Sequence, residues 1–122
     1  MIFAFLDDGT LWILEGEADA QGQFEGIDVE SGVVHFYDES GTYLEPRFSV
    51  PNRTGKWLGI LSWVESGAFH LVPNPSAEHD SFALALYETA ILLPNRRFSS
   101  LEELKAALSK RGVEVELPGS GR

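Results

Sequence analysis

Carboxylates are the most numerous groups in this chain with chemistry to offer, and several come in close pairs: Asp7 with Asp8, Asp28 with Glu30, and Asp38 with Glu39. Two carboxyls facing each other across a cleft, one of them desolvated, perform general acid–base or glycosidase chemistry. Each pair here falls in or beside a turn, where water keeps both groups ionised. The alternating acids, central glycine and distal glutamate of a calcium loop are absent.

The histidines are His35, His70 and His79. No two sit at the sequence spacing of zinc ligands. His35 and His70 fall in strand-like runs, and His79 precedes Asp80 in a stretch of proline, serine and acid. Hydrogen-bonded or pH-sensitive structural histidines are therefore expected. His79 and Asp80 with Ser76 or Ser81 supply the residue types of a hydrolytic triad, but no nucleophile elbow accompanies them. Asn52-Arg53-Thr54-Gly55-Lys56 approximates the end of a phosphate-binding loop and then departs from it. Val50 stands where the first glycine is required, and Trp57 where the magnesium-binding hydroxyl would be. The reading leans away from an enzyme, with no catalytic residue, cofactor or metal assigned.

Charge is distributed unevenly along the 122 residues. The first fifty hold eleven acids against one base, Arg47, while the remainder balances eight against eight. The formal net charge of −10 thus belongs to the first half. Such a field repels nucleic acid and anionic membrane and speeds encounter with a basic protein. There are no cysteines, which excludes a disulfide framework and fits a reducing compartment. No apolar run is long enough for a signal segment or a membrane helix, so a cytoplasmic protein is expected.

The elements that must position these groups read as follows. Ile2–Leu6 and Leu11–Leu14 flank the turn Asp7-Asp8-Gly9-Thr10 as a hairpin, and residues 16–23 read as a loop. Phe24–Glu30 alternates, Val33–Tyr37 is β-branched and aromatic, and Asp38-Glu39-Ser40-Gly41 turns the chain into Thr42-Tyr43-Leu44. Together these predict a three-stranded meander with an acidic rim. Pro46 and Pro51 restrict residues 47–49 to a short edge segment. Lys56–Val64 is apolar on both parities, as a central strand is, with Ala68–Val72 its hairpin partner. Asp80–Leu93 fits a helix capped by Asp80 or Ser81 and stopped by Pro94 better than it fits a strand. Ser99 with Glu102, or Ser100 with Glu103, offers a capping box for a helix with a Leu101, Leu104 and Leu108 stripe that ends at Gly112. Trp57, Leu61 and Trp63 are expected to pack against that stripe. Val113–Leu117 alternates as a final strand.

The expected fold is α+β: a mainly antiparallel sheet of about six to eight strands, two helices near the C-terminus on one face, and a last short strand. Residues 1–118 form one domain, with 119–122 a flexible tail. The function expected is that of a small acidic binding or inhibitor-type protein, with an immunity- or antitoxin-like role the sharpest version. It would neutralise a basic partner protein through the N-terminal meander. Asp28, Glu30, Asp38 and Glu39 would form the rim, with Tyr37 and Tyr43 nearer the centre. The alternatives are a non-catalytic accessory domain that homo-oligomerises through an exposed β edge, and a small ligand-binding or enzymatic α+β domain.

Overall fold

In the computed structural model, which describes residues 1–57, 61–65, 67–77 and 79–116, and side chains within 53–66 excepted, the chain is organised around its first strand. β1 (Ile2–Leu6) pairs antiparallel with β2 (Thr10–Leu14) on one side and β3 (Val34–Asp38) on the other. Ile2 to Phe5 are all buried, because both faces of β1 are covered. Ile2 and Ala4 point into one apolar cluster, and Phe3 and Phe5 into another. Gly9, at φ +86°, lets the Asp7–Thr10 turn close, and Asp8 Oδ1 accepts the Thr10 N–H.

Two short helices follow β2, in place of the expected loop and first meander strand. α1 (Glu17–Gln23) and α2 (Gly26–Ser31) contribute Ala20 and Val29 to the Ile2 side of the sheet. The alternation of residues 24–30 spans too few positions to separate a period of two from one of 3.6. A close backbone approach settles it: a Cβ on buried Gly26 would stand 2.6 Å from the Gly67 carbonyl oxygen. Asn52 locks that approach, donating to the Gly26 carbonyl at 3.0 Å and accepting from Gly67 N–H at 2.6 Å. Gly32, at φ +83°, ends α2 and starts β3.

β3 passes through the Asp38–Gly41 turn into β4 (Tyr43–Val50), but the two pair only at Phe36–Leu44 and Tyr37–Tyr43. Pro46 lies beyond that ladder, where its missing N–H costs nothing. β4 continues instead beside β7 (Ala68–Pro73), so it is longer than the edge segment expected. Between them, β5 (Arg53–Trp57) and β6 (Leu61–Glu65) form a separate two-stranded sheet with Trp57 opposite Leu61. Lys56–Val64 is therefore not a central strand. A chain folded back on itself shows apolar residues on both parities as readily as a strand covered on two faces. The side-chain packing expected of Trp57, Leu61 and Trp63 lies outside the described residues.

α3 (Phe82–Tyr87) is capped by Ser81, whose hydroxyl accepts the Leu84 N–H at 3.1 Å. It stops short of Leu93, and β8 (Ile91–Leu92) then joins β2 in parallel. α4 (Leu101–Lys110) takes the Ser100 register of the capping box, with the Ser99 N–H and hydroxyl both bonded to the Glu103 carboxylate. Leu104 and Leu108 are fully buried against Phe3, Phe5 and Leu11, with Phe82 and Leu86 of α3 in the same cluster.

The result is α+β, with a six-stranded sheet in the order β7-β4-β3-β1-β2-β8, antiparallel except for its last pair. α3 and α4 cover the Phe3 face as expected, and α1 and α2 cover the other. Residues 113–116 add no strand. Gly112, at φ +81°, closes α4, the Val113 N–H bonds back to the Leu108 carbonyl, and Val113 and Val115 pack directly on the core. Leu117, Pro118 and the tail 119–122 lie outside the described residues. Among the described residues, no helix is long and apolar enough to cross a membrane.

Candidate functional site

A cleft of about 450 Å³ opens beside the β1–β2 turn. Phe5 and Leu6 reach it from β1, His35 and Tyr37 from β3, and Ala85 and Thr89 from α3 and the residues just after it. Its charged lining consists of Asp7, Asp8, Asp80 and Glu88, with His35 and His79 beside them and neither lysine nor arginine among the lining residues. A second hollow of about 610 Å³, between α1, α2 and β7, is bordered by Phe24, Phe69, Gln21, Glu25 and His70. It gathers fewer groups able to bind or react.

The distinctive feature of the first cleft is a chain of hydrogen bonds along one wall. Tyr37 Oη donates to the Asp80 carbonyl at 2.6 Å. His79 Nδ1 lies 2.9 Å from the same hydroxyl, and His79 Nε2 lies 3.1 Å from His35 Nδ1. A carbonyl only accepts, so the Tyr37 proton points to Asp80 and its oxygen accepts from His79 Nδ1–H. With His79 neutral, Nε2 carries a lone pair and takes the Nδ1–H of His35. Tyr43 stacks on the His79 ring at 4.0 Å and 15°. The histidine is thus held at both nitrogens and on one face.

β-sheet register builds most of this wall. His35 and Tyr37 are two apart on β3 and share the face of Phe5 and Phe3, their partners on β1. Tyr43 is the partner of Tyr37 on β4. His79 and Asp80 arrive from the segment before α3, anchored where Ser81 caps the helix. Burial raises the Tyr37 hydroxyl pKa strongly, with the Asp80 charge and Tyr43 adding to it, so Tyr37 stays a neutral donor. Burial also raises Tyr43, helped by Glu45. It lowers His35, as does a charge on His79, against the pull of Asp80 and Asp7.

The residues expected to form one binding rim are dispersed. Asp28 and Glu30 are exposed on α2, before β3 begins, whereas Asp38 is the last residue of β3 and Glu39 follows it. The five residues of β3 separate the two pairs by roughly 13 Å of strand. Asp38 is occupied in its own turn, accepting from the N–H groups of Ser40 and Thr42 and from the Ser40 hydroxyl. Glu39 bonds the N-terminal ammonium at 2.8 Å, with Arg111 at 3.8 Å, and that ammonium holds its carboxyl below the usual range. Tyr37 is 2% exposed under Phe82, an interior residue and not a surface anchor. Tyr43 is half-buried against His79.

Of the six, Tyr37 and Tyr43 meet at the histidine chain. Glu30 borders a further hollow of about 380 Å³ that His35, Tyr43 and His79 also line. Sequence reasoning missed Asp7, Asp8, Asp80 and Glu88 as a group, and the meeting of His35 with His79. The only local signal was the i, i+2 spacing of His35 and Tyr37. Among the described residues, no group of three or more His, Asp or Glu side chains is arranged to hold a metal ion. The chain matches no protein-family model, no curated protein and no solved structure.

Proposed function

We propose that this chain is a small acidic binding protein of the inhibitor type that captures a basic protein surface. An immunity- or antitoxin-like role in the cytoplasm is its sharpest form. The observation that carries this reading is the cleft beside the β1–β2 turn, whose fixed charges are all carboxylates on an apolar floor of Phe5 and Leu6. A lysine or arginine side chain entering it would bury its methylene stem on that floor and its cationic head among Asp7, Asp8, Asp80 and Glu88. The contact site moves accordingly from the β3–β4 turn to this cleft, while the acidic first half supplies long-range attraction.

Two variants of equal charge separate the steering field from the contact site. One neutralises Asp7, Asp8, Asp80 and Glu88 to the corresponding amides, and the other neutralises Asp28, Glu30, Asp38 and Glu39. Wild-type protein first retrieves its partner from the native host at low and high salt. Association and dissociation rates are then measured with the purified partner. Both variants should slow association and flatten its salt dependence, whereas only the cleft variant should speed dissociation, by about tenfold or more. If dissociation from the cleft variant matches wild type, the cleft is not the contact site. If the salt slopes of all three proteins also coincide, charge plays no part in recognition.

A further inference from the structure

We infer that the His35–His79 contact is a proton-operated partition between the acidic cleft and the hollow behind it. Both rings line both spaces, one of about 450 Å³ and one of about 380 Å³. The cleft side is bounded by the β1–β2 turn and α3, and the far side by Val29 and Glu30 of α2 with Pro46 and Phe48 of β4. The two rings meet edge to face, with centroids 4.6 Å apart, and it is this contact that we take as the partition.

The hydrogen-bond chain fixes how many protons this contact tolerates. With both rings neutral, His35 Nδ1–H donates to His79 Nε2, His79 Nδ1–H donates to Tyr37, and Tyr37 donates to the Asp80 carbonyl. One added proton is tolerated in either of two arrangements, on His35 Nε2 with its Nδ1–H still donating to His79, or on His79 Nε2 with His35 Nδ1 now accepting and its own proton on Nε2. In both the bond is strengthened by the charge. A second proton leaves no lone pair between the rings. Two N–H groups then face each other across 3.1 Å, each on a cationic ring, and the contact is lost.

His35 belongs to β3 and is held by its strand pairing with Phe5, so His79 is the ring that gives way. It can part from His35 while remaining against the face of Tyr43, which attracts a cation. The charged and titratable groups around the pair are Asp7 and Asp8 from the turn, Asp80 from the His79 segment and Glu88 from α3. Among the described residues, Glu30 of α2 and, on β4, Glu45 with its ion-pair partner Arg47 join them, together with Tyr37 and Tyr43. The acids favour charging the rings, but at His35 burial and a charge on His79 outweigh the pull of Asp80 and Asp7, so the second proton enters only at lower pH. Glu78, the neighbour of His79 in sequence, lies outside the described residues.

The partition is tested on the protein alone, independently of any partner, by following the histidine rings with nuclear magnetic resonance between pH 8 and pH 4.5. His35 and His79 should titrate as a coupled pair in two steps separated by about one pH unit or more. The His35–His79 ring cross-peak should persist through the first step and vanish at the second, with the amide spectrum of the sheet unchanged. In His35→Gln, His79 should revert to one step. In Tyr37→Phe, the neutral His79 ring should lose its fixed Nδ1–H tautomer. Independent single-step titration, a cross-peak that survives the second step, or global unfolding at that step would each overturn the inference.

Discussion

Replacing Glu17 and Gln21 together by alanine should turn the guarded edge of β7 into a site of self-association. β7 closes one side of the six-stranded sheet, and the outward backbone groups of such a strand are a template for another chain. In this fold two of them are occupied by α1 side chains one turn apart. The Leu71 N–H donates to Glu17 Oε2 at 3.2 Å, and the Phe69 carbonyl accepts from Gln21 Nε2 at 2.7 Å. Glu17 also bonds His70 Nδ1 at 3.0 Å. That contact, an ion pair only while His70 carries a proton, is well exposed, 58% for His70 and 41% for Glu17, which places it at the low end of about 0–1 kcal/mol. The two bonds to β7 contribute about 0.5–1.5 kcal/mol each. The double variant should lose about 2 kcal/mol, or roughly 8 °C of melting midpoint for a chain of this length. Thermal melts followed by circular dichroism measure the loss. Sedimentation velocity at two concentrations should reveal a concentration-dependent species that wild type lacks. A variant that melts within about 2 °C of wild type and sediments identically would refute the guarded edge. Acid should reproduce the effect. The His70 bond, and then the Leu71 N–H, hold the Glu17 carboxyl below its ordinary range, so its folded pKa lies beneath its unfolded one. Its contribution is therefore complete above about pH 4.3 and lost as pH falls through the folded value, and Glu17→Gln should remove that part of the acid sensitivity.

Two stability predictions accompany it. Asn52→Ala leaves the buried Gly26 carbonyl and the Gly67 N–H unpaired and should cost about 2–4 kcal/mol, read as a fall in the urea midpoint; a loss under about 0.5 kcal/mol would show that water replaces the side chain. Leu104→Ala, at a fully buried position, should cost about 2–5 kcal/mol, whereas exposed Glu102→Ala should stay within about 0.5 kcal/mol, both measured by the same denaturation.

Turn chemistry was the legible part of this fold, because it is local. Asp7-Asp8-Gly9-Thr10 and Asp38-Glu39-Ser40-Gly41 both close at a glycine of positive φ, and Gly112 ends α4 as its position after the leucine stripe implies. Elements held by distant contacts were not legible. α1 and α2, of seven and six residues, are too short to be stable alone. Glu17 and Gln21 on β7, and the Gly26–Asn52–Gly67 approach, supply what propensity does not. Residues 80–93 were expected to form one helix, but only Phe82–Tyr87 does, and the chain leaves the helix before a short strand. Leu84 and Leu86 lie in α3, and Ile91 and Leu92 join β2. The site was least legible of all, since His35 and His79 are 44 residues apart and meet only through sheet register and the packing of the segment before α3.

The same geometry changes what the charge asymmetry of the sequence implies. Several first-half acids have structural duties: Glu17 guards β7, Asp38 builds its turn, Glu39 holds the N-terminus, and Glu15 pairs with Arg97 at 2.8 Å. Asp80 and Glu88, which join Asp7 and Asp8 at the cleft, come from the half whose charges balance. The net charge of a segment therefore does not locate a binding site. It sets a field that every carboxylate feeds and that salt screens within roughly 8–10 Å. Neutralising any four acids weakens that field by a similar amount, so association rates alone cannot separate a contact residue from a distant one. Dissociation can, because a bound complex responds to the few groups it has desolvated. In the complex proposed above those groups are the cleft carboxylates Asp7, Asp8, Asp80 and Glu88, which line the same cleft as His35 and His79.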